Sequence, residues 1–544
     1  MLHILIGGAG CGKSTCLIQH LQKQLKASEQ ILTLVPEQFS YEFDQKLYRI
    51  LEPVAFNQLE THSFKSLARA VFQRFGCVPD GKTNADELTK MALLYQAVLQ
   101  VSEREKKLQL LGKQCRQASF VSELAMMFTQ FRRSGIPPEQ LYNSSAELNG
   151  RLQEKMLDVF EIYQRYDQLL EQHQLKDTET DLSEAAAIAN GHDAFLGDVI
   201  FLDEFESFTE DEYQMLSVLL SSGRDLYIAL RMEHTRKEPF SLFAAVQETF
   251  CKIQDMAKKL RIPVETEVCD TPYRFQAAEL SWLNQHVFRN TQPFSGEAPH
   301  MHILEAQSPT EEVDYVCATI RRLLAKDHTL RCRDIAVLSN QMTDYRSILE
   351  TAMERYKLPY YMDEKESMLY TPLLVYLHTL LGILRQTRPD TELLMRLGKT
   401  GLTSCSVEEI SDLENYCYMW QIDGKTWNTP FTAGNFASAE AVRLKLLTPL
   451  QELQEKLKGQ HTGAEFCSML YQFLTEQQVE EQLNRQLKVI ADEQKRMQTS
   501  EEWALVWNSF IDILEHLSTL YRTLEMEFSE FSTVFAALTG NIQR

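Results

Sequence analysis

The segment GGAGCGKST runs from Gly7 to Thr15, and Gly7 to Ser14 carries the spacing G-x-x-x-x-G-K-S. Glycines so placed let successive backbone N–H groups converge on phosphate oxygens at a helix N-terminus. Lys13 then reaches the β- and γ-phosphates and Ser14 ligates magnesium. Gly7, Gly8, Ala9, Gly10, Cys11, Gly12, Lys13, Ser14 and Thr15 are therefore the candidate nucleotide-binding residues. A chance match is the alternative. Such a loop needs a distant acidic partner at a strand end, and VIFLDEFESFT supplies one: Asp203 to hold the magnesium through water, Glu204 to orient and deprotonate an attacking water. The competing reading makes the acidic pair a helix N-cap, although Thr209 could cap the next helix as well. A third group lies in LETHSFKSLA, where Thr61, His62, Ser63 and Phe64 could contact a sugar-phosphate backbone and stack a base. Taken alone, His62 fits a hydrogen-bonded core residue better.

These groups must be positioned by particular elements. Met1 to Ile6 reads as a short strand, Lys13 opens a helix to about Lys26, and Ile31 to Val35 is a second buried strand closed by Pro36. Strand, loop, helix and strand begin an α/β nucleotide fold. From Asp86 to about Gln174 the pattern turns helical, with Leu152, Met156, Phe160, Tyr163 and Tyr166 forming one apolar stripe. Lys176 to His192 reads as a polar connection. Val199 to Leu202 and Leu226 to Leu230 restore the strand pattern, so a helical insertion into a parallel-sheet domain is expected. Thr291 to His302 marks a boundary. Beyond it, strands at Met301 to Leu304 and Ile335 to Leu338 flank the amphipathic helix Glu311 to Leu324, as a second α/β unit would. From Thr371 to Arg544 the chain reads as nearly all helical, with a loop at Thr426 to Phe436.

The 544 residues carry 55 Lys and Arg against 76 Asp and Glu, a net charge of −21. That balance argues against non-specific coating of nucleic acid, which needs clustered cations, but allows a local track on an acidic body. Eleven cysteines show no C-x-x-C and no Cys/His cluster at metal spacing, and they read mostly as buried thiols of a cytoplasmic protein. No signal peptide or membrane span is expected.

GGAGCGKST, VPEQFSYEFD, THSF and FLDEFESFT, in this order, resemble superfamily 1 helicases of the UvrD/Rep kind. More closely they are similar to the B subunits of AddAB-type ATP-dependent helicase/deoxyribonucleases. The resemblance continues through PYRFQAAELSWLNQHVF (Pro272 to Phe288), RDIAVLSNQMTDYRSILE, LPYYMDEKESMLYTPLL and LENYCYMWQIDGKTW. It implies an α/β fold of P-loop NTPase domains with large all-α insertions. Domain 1A would comprise residues 1–85 and 195–290, insertion 1B 86–194, the start of 2A 300–370 and an incomplete insertion 2B 371–544. It further implies ATP and Mg2+ as cofactors, an AddA-type helicase/nuclease partner in a heterodimer, and single-stranded DNA and duplex ends as ligands. The role implied is processing of double-strand breaks for homologous recombination, related to Chi recognition.

Departures from the pattern qualify the resemblance. Glu206 stands near where such a motor carries a γ-phosphate-sensing Gln, no G-D-x-x-Q-S segment follows LYIAL, and Asn340 lies where Arg is common, with Arg346 six residues on. Each loss removes a γ-phosphate or coupling contact, so ATP binding with weak or absent hydrolysis is expected. The clustered carboxylates and four-cysteine 4Fe-4S cluster of the family's nuclease domain have no counterpart in these residues, and the chain reads as roughly the N-terminal half of such a subunit. An autonomous ATP-driven helicase, favoured by the intact Glu204, and a P-loop kinase or small-molecule ATPase are the alternative readings.

Overall fold

The computed structural model describes residues 1–26, 30–75, 82–104, 107–112, 118–235, 241–271, 273–287, 293–362 and 367–543. Pro272 and Phe288, which bound one of the segments above, and residues 291, 292 and 363–366 lie outside them. The chain begins with β1 (Leu2–Gly7), α1 (Lys13–Lys26), β2 (Ile31–Leu34), α2 (Ser40–Ile50), β3 (Leu59–His62) and α3 (Phe64–Phe75). A short parallel pair, β4 (Thr83–Asn84) and β5 (Leu175–Lys176), brackets the helices α4 (Glu87–Leu99), α5 (Ala118–Arg133), α6 (Pro138–Ser145) and α7 (Arg151–Gln172). Alternation then resumes with α8 (Asp181–Gly191), β6 (Val199–Leu202), α9 (Glu210–Ser222), β7 (Asp225–Arg231), α10 (Ala244–Lys259), β8 (Val264–Val268) and α11 (Ala278–His286).

Two compact units result. The first comprises residues 1–84, 127–140 and 174–307; the second comprises 85–126, 141–173 and 308–544. The first unit is built on a six-stranded sheet of order β3-β2-β6-β7-β1-β8, every neighbouring pair parallel. Strand alternation divides its core. Leu2, Ile4 and Ile6, with Ile200, Leu202, Ile228 and Leu230, face a layer containing α3, α8, α9 and α10. Leu5, Val199, Phe201 and Ala229 face the opposite layer, where α1 and α2 contribute Leu17, Ile18, Leu21, Phe43 and Leu47. Burial on both faces explains why these strands read as unbroken apolar runs.

The segment Lys176 to His192 is not the expected connection. Leu182, Ala185, Ala186 and Ala189 recur at helical spacing and make α8 part of the sheet's core. Small alanines concealed the signal, because one turn of them has little hydropathy yet lets the helix sit close against α3 and α9.

In the second unit, α4 is buried along nearly its whole length, and the Tyr521 hydroxyl donates to the Ala92 carbonyl at 2.6 Å. The apolar stripe of α7 also shifts from expectation. Val159, Ile162, Tyr163, Tyr166, Leu169 and Leu170 are buried, whereas Leu152 is 53 % exposed. The fully buried Asp158 accepts from the backbone N–H groups of Gln109, Leu110 and Leu111 at 2.8–2.9 Å, anchoring that loop. Helices α12 (Pro309–Lys326) and α13 (Met342–Arg355) bury Val313, Cys317 and Ile320 against Leu349, Ala352 and Met353. The strands expected at Met301 to Leu304 and Ile335 to Leu338 do not form: neither segment finds a ladder partner among the described residues, and Ile303 and Leu338 are exposed. A short apolar run becomes a strand only when another strand satisfies its backbone groups. From Pro372 onward the unit is helical, as expected, with a small antiparallel pair at Gln460–Thr462 and Glu525–Glu527 that the sequence pattern did not signal. Among the described residues no helix is long and apolar enough to cross a membrane.

Candidate functional site

The carboxyl ends of β1, β6 and β7 converge at one edge of the parallel sheet, the edge at which such sheets bind ligands. The loop from Gly7 to Gly12 leaves β1 and turns into α1. Gly10 and Gly12 have φ of +74° and +77°, a region that L side chains adopt only with strain. A Cβ on Gly10 would also stand 2.5 Å from the Arg274 Cβ, and one on Gly7 would stand 2.4 Å from the Cys269 carbonyl oxygen. The glycine spacing is thus demanded by both backbone conformation and close packing. The segment after β8 closes over the loop, with the N–H groups of Tyr273 and Arg274 donating to the Gly10 carbonyl at 3.0 and 3.2 Å.

Around this loop lies a cleft of about 660 Å³, lined among others by Lys13, Ser14, Thr15, Asp203, Glu204 and Arg231. Lys13, first residue of α1, donates to the Gly8 carbonyl at 2.7 Å. Burial pushes its ammonium below the usual lysine range, with Arg231 adding to the effect while Cys11 and Asp203 oppose it. Asp203 lies just past β6, 5 % exposed, its N–H donating to the Leu34 carbonyl at 3.2 Å. Burial raises its carboxyl above the ordinary aspartate range, partly offset by a hydrogen bond from Ser14. The Ser14 hydroxyl and the Asp203 carboxylate therefore face one another across the cleft floor, a hard oxygen pair suited to a magnesium ion. The glycines, the lysine and this pair fit a polyphosphate with its divalent cation.

Glu204 adopts φ +63°, strain that a non-glycine residue keeps only where its surroundings hold it. Its N–H donates to Asp203 Oδ1 at 2.9 Å. Its carboxylate stands 3.8 Å from the Arg231 guanidinium, which also reaches Glu206 at 3.4 Å. The helix-cap alternative for the acidic pair is thereby removed. Helix α9 begins at Glu210 and is capped by Thr209, whose N–H donates to the Glu212 carboxylate at 2.8 Å.

The group at the end of β3 divides. Thr61 accepts from the Thr33 hydroxyl at 2.9 Å; His62 Nδ1 lies 3.3 Å from Ser66 Oγ, and its Nε2 lies 3.6 Å from Glu60. Ser63 caps α3, accepting from the Ser66 N–H at 3.2 Å. Phe64 is 5 % exposed, and its ring meets Phe205 and Phe208 edge-on at centroid distances of 5.5 and 5.9 Å. This corrects the expectation that Phe64 offers a stacking face: it is a core residue. A cleft of about 570 Å³ beside the first shares Glu204, Glu206 and Arg231 with it and extends to Ser63 and Lys65. The two sequence groups therefore border adjoining cavities.

Lys46, Arg231, Tyr273 and Arg274 also line the first cleft and were not singled out from sequence. Arg231 had a signal, as the residue that ends LYIALR at the ligand-binding edge; Lys46, on a helix with an ordinary apolar pattern, had none. Arg346 belongs to the second unit, where it pairs with Glu350 one helical turn away. Larger clefts, about 1200 and 1150 Å³, lie among the helices of the second unit but carry no glycine loop and no comparable carboxylate pair.

A parallel sheet with a glycine loop at its edge and large helical additions is consistent with the RecA/P-loop helicase class in general. The sequence matches the family described as "ADDB, N-terminal" over residues 4–284, and the chain belongs to that family. It is 25 % identical to the B subunit of the ATP-dependent helicase/deoxyribonuclease of Clostridium novyi (strain NT), over 98 % of this chain and 47 % of that protein. It is 26 % identical to the protein of the same description from Clostridium tetani (strain Massachusetts / E88), over 98 % of this chain and 49 % of the relative. The chain spans about half the length of the relatives it matches.

Proposed function

We propose that this chain binds ATP with Mg2+ in the cleft at the β1–α1 loop, as part of a heterodimeric ATP-dependent DNA helicase/exonuclease that prepares double-strand breaks for homologous recombination. The observation that carries the reading is the convergence of Gly10, Gly12, Lys13 and Ser14 with Asp203 at one sheet edge, in a chain of the AddB family. The loop N–H groups and Lys13 would hold the phosphates, and Ser14 and Asp203 would hold the cation, which supplies charge neutralisation to the γ-phosphate. Glu204 would orient the attacking water. Its proximity to Arg231 lowers its readiness as a base, which supports binding with slow turnover. Thr61, His62 and Ser63 are the proposed contacts to a single strand of DNA, with Phe64 positioning them from the core. An AddA-type subunit would supply the main motor, and the descriptions of the relatives support that assignment.

The reading is tested with a fluorescent ATP analogue in the presence of Mg2+. Lys13→Ala removes a charge-assisted contact worth about 1.5–3 kcal/mol, so affinity should fall roughly 10- to 100-fold. Unchanged affinity would overturn the nucleotide assignment. Glu204→Gln should retain binding; if it also abolishes a strong DNA-stimulated phosphate release by the isolated chain, an autonomous helicase replaces the slow-turnover subunit as the better reading.

A further inference from the structure

No Cys/His cluster is visible along the sequence, yet the fold assembles one. Cys16 and His20 stand one turn apart on α1, and Glu267 lies on the edge strand β8, some 250 positions away. Cys16 Sγ is 3.3 Å from Glu267 Oε1, and His20 Nε2 is 3.1 Å from Glu267 Oε2. One sulfur, one imidazole nitrogen and one carboxylate oxygen all lie within 4.8 Å of one another. A fourth donor is close: Cys269, two residues beyond Glu267, makes a side-chain contact with Cys16. Both thiols are free.

We propose that Cys16, His20, Glu267 and Cys269 form a structural zinc site that clamps α1 to β8. The donor types select the metal. Thiolate and imidazole suit zinc and other borderline-soft ions, whereas magnesium and calcium prefer all-oxygen shells. The distances suit it as well. Bonds of about 2.0–2.3 Å to a tetrahedral zinc place neighbouring ligand atoms roughly 3–4 Å apart, which the Cys16–Glu267 and His20–Glu267 contacts already match. The spacing follows from the secondary structure: positions 16 and 20 share one helix face, and positions 267 and 269 share one side of the extended chain. The His20 ring is also fixed from behind, stacked on Tyr227 at 5.2 Å, whose hydroxyl accepts from the Gln24 amide at 3.3 Å. Orientation of a ligand by such a neighbour is characteristic of metal sites.

Without a metal the same groups are poorly matched. The Cys16 thiol is pushed up to about 12, first by burial and then by Glu267, so it stays protonated beside a carboxylate. A divalent cation would displace the thiol protons and neutralise the surplus of acceptors. The clamp would act on two walls of the cleft at once. Helix α1 starts at Lys13 and Ser14, and the segment after Cys269 carries Tyr273 and Arg274 onto Gly10. The ion is distinct from any that accompanies a nucleotide, and its binding does not depend on the nucleotide reading.

The test uses the full chain, stripped with a chelator under reducing conditions and titrated with Zn2+ or Co2+. The expected result is one tight equivalent, a Co2+ spectrum with thiolate charge-transfer and intense tetrahedral d–d bands, and a higher Tm on zinc addition. Cys16→Ser and His20→Ala should each weaken that equivalent roughly tenfold or more and abolish the Tm gain. The metal-free Tm of each variant, compared with that of the metal-free wild type, shows that it folds. Failure to bind metal would overturn the proposal, as would a Co2+ spectrum unchanged in both variants, which would place the ion on other cysteines. A Cys16–Cys269 disulfide that survives reduction and leaves no site for metal would overturn it too.

Discussion

Replacing Phe64 with alanine separates two roles that the sequence allows for it. In the structure the ring is 5 % exposed, packed edge-on against Phe205 and Phe208, and surrounded by the core layer of the sheet that also contains Leu67, Ala68 and Val71. Truncating such a ring removes its transfer free energy and leaves a cavity, about 3–5 kcal/mol together, and the two edge-to-face contacts lie toward the upper end of that range. For a unit of roughly 150–250 residues, each kcal/mol lowers Tm by about 2–4 °C, so the first unit should melt on the order of 10 °C lower. Phe64→Leu keeps much of the volume and should recover more than half of the loss. The assays are differential scanning calorimetry and, below the transition, single-stranded DNA binding. DNA affinity of the folded Phe64→Leu variant should stay close to that of the wild type. A variant with unchanged Tm and greatly weakened DNA binding would refute the packing argument and restore the stacking role.

Asp203→Asn tests the cost of a buried carboxylate. Because burial raises the carboxyl above its unfolded range, its contribution to stability is present at low pH and is lost as pH rises through the raised value. In chelator, Asp203→Asn should therefore melt above the wild type at pH 7, and the advantage should shrink as pH falls towards 4; an advantage that grows on acidification would contradict this. Asp158→Ala should destabilise the second unit by about 3 kcal/mol or more, since three backbone N–H groups lose a charged acceptor in a buried site. Urea unfolding would measure it, and a loss below about 0.5 kcal/mol would show that water replaces the carboxylate.

The sheet and its loop were legible because several local signals agree. VIFL and LYIAL are short, apolar and followed by polar residues at the ligand edge, and the glycine spacing allows few other conformations. Elements whose signal lies in packing were lost. The alanines of α8 look like a linker until α3 and α9 are beside them, and Phe64 looks available until Phe205 and Phe208 arrive from β6's carboxyl side. The strands expected near residues 301 and 335 failed for the converse reason, since apolar runs alone do not supply a ladder partner. The Cys16–His20–Glu267 group was invisible because its halves lie on elements joined only through the parallel sheet, β8 pairing with β1.

The energetics of the cleft give an argument of their own. Lys13 and Asp203 both suffer desolvation, in opposite directions: the ammonium is pushed down and the carboxyl up. In a site built only for stability these two charges would form a direct ion pair and cancel much of that cost. Instead Lys13 is held by the Gly8 carbonyl and Asp203 by the Ser14 hydroxyl and the Glu204 N–H, so each keeps its charge unneutralised and aimed at shared space. An anion beside Lys13 and a divalent cation beside Asp203 would relieve both costs at once, and the relief would add to binding free energy. A Mg2+-polyphosphate carries both charges at the required separation. The same logic explains the strain at Glu204, where a left-handed backbone turns the carboxylate towards Arg231. The fold gives up stability at the end of β6 and at the start of α1, the two places where a phosphate and its cation would restore it.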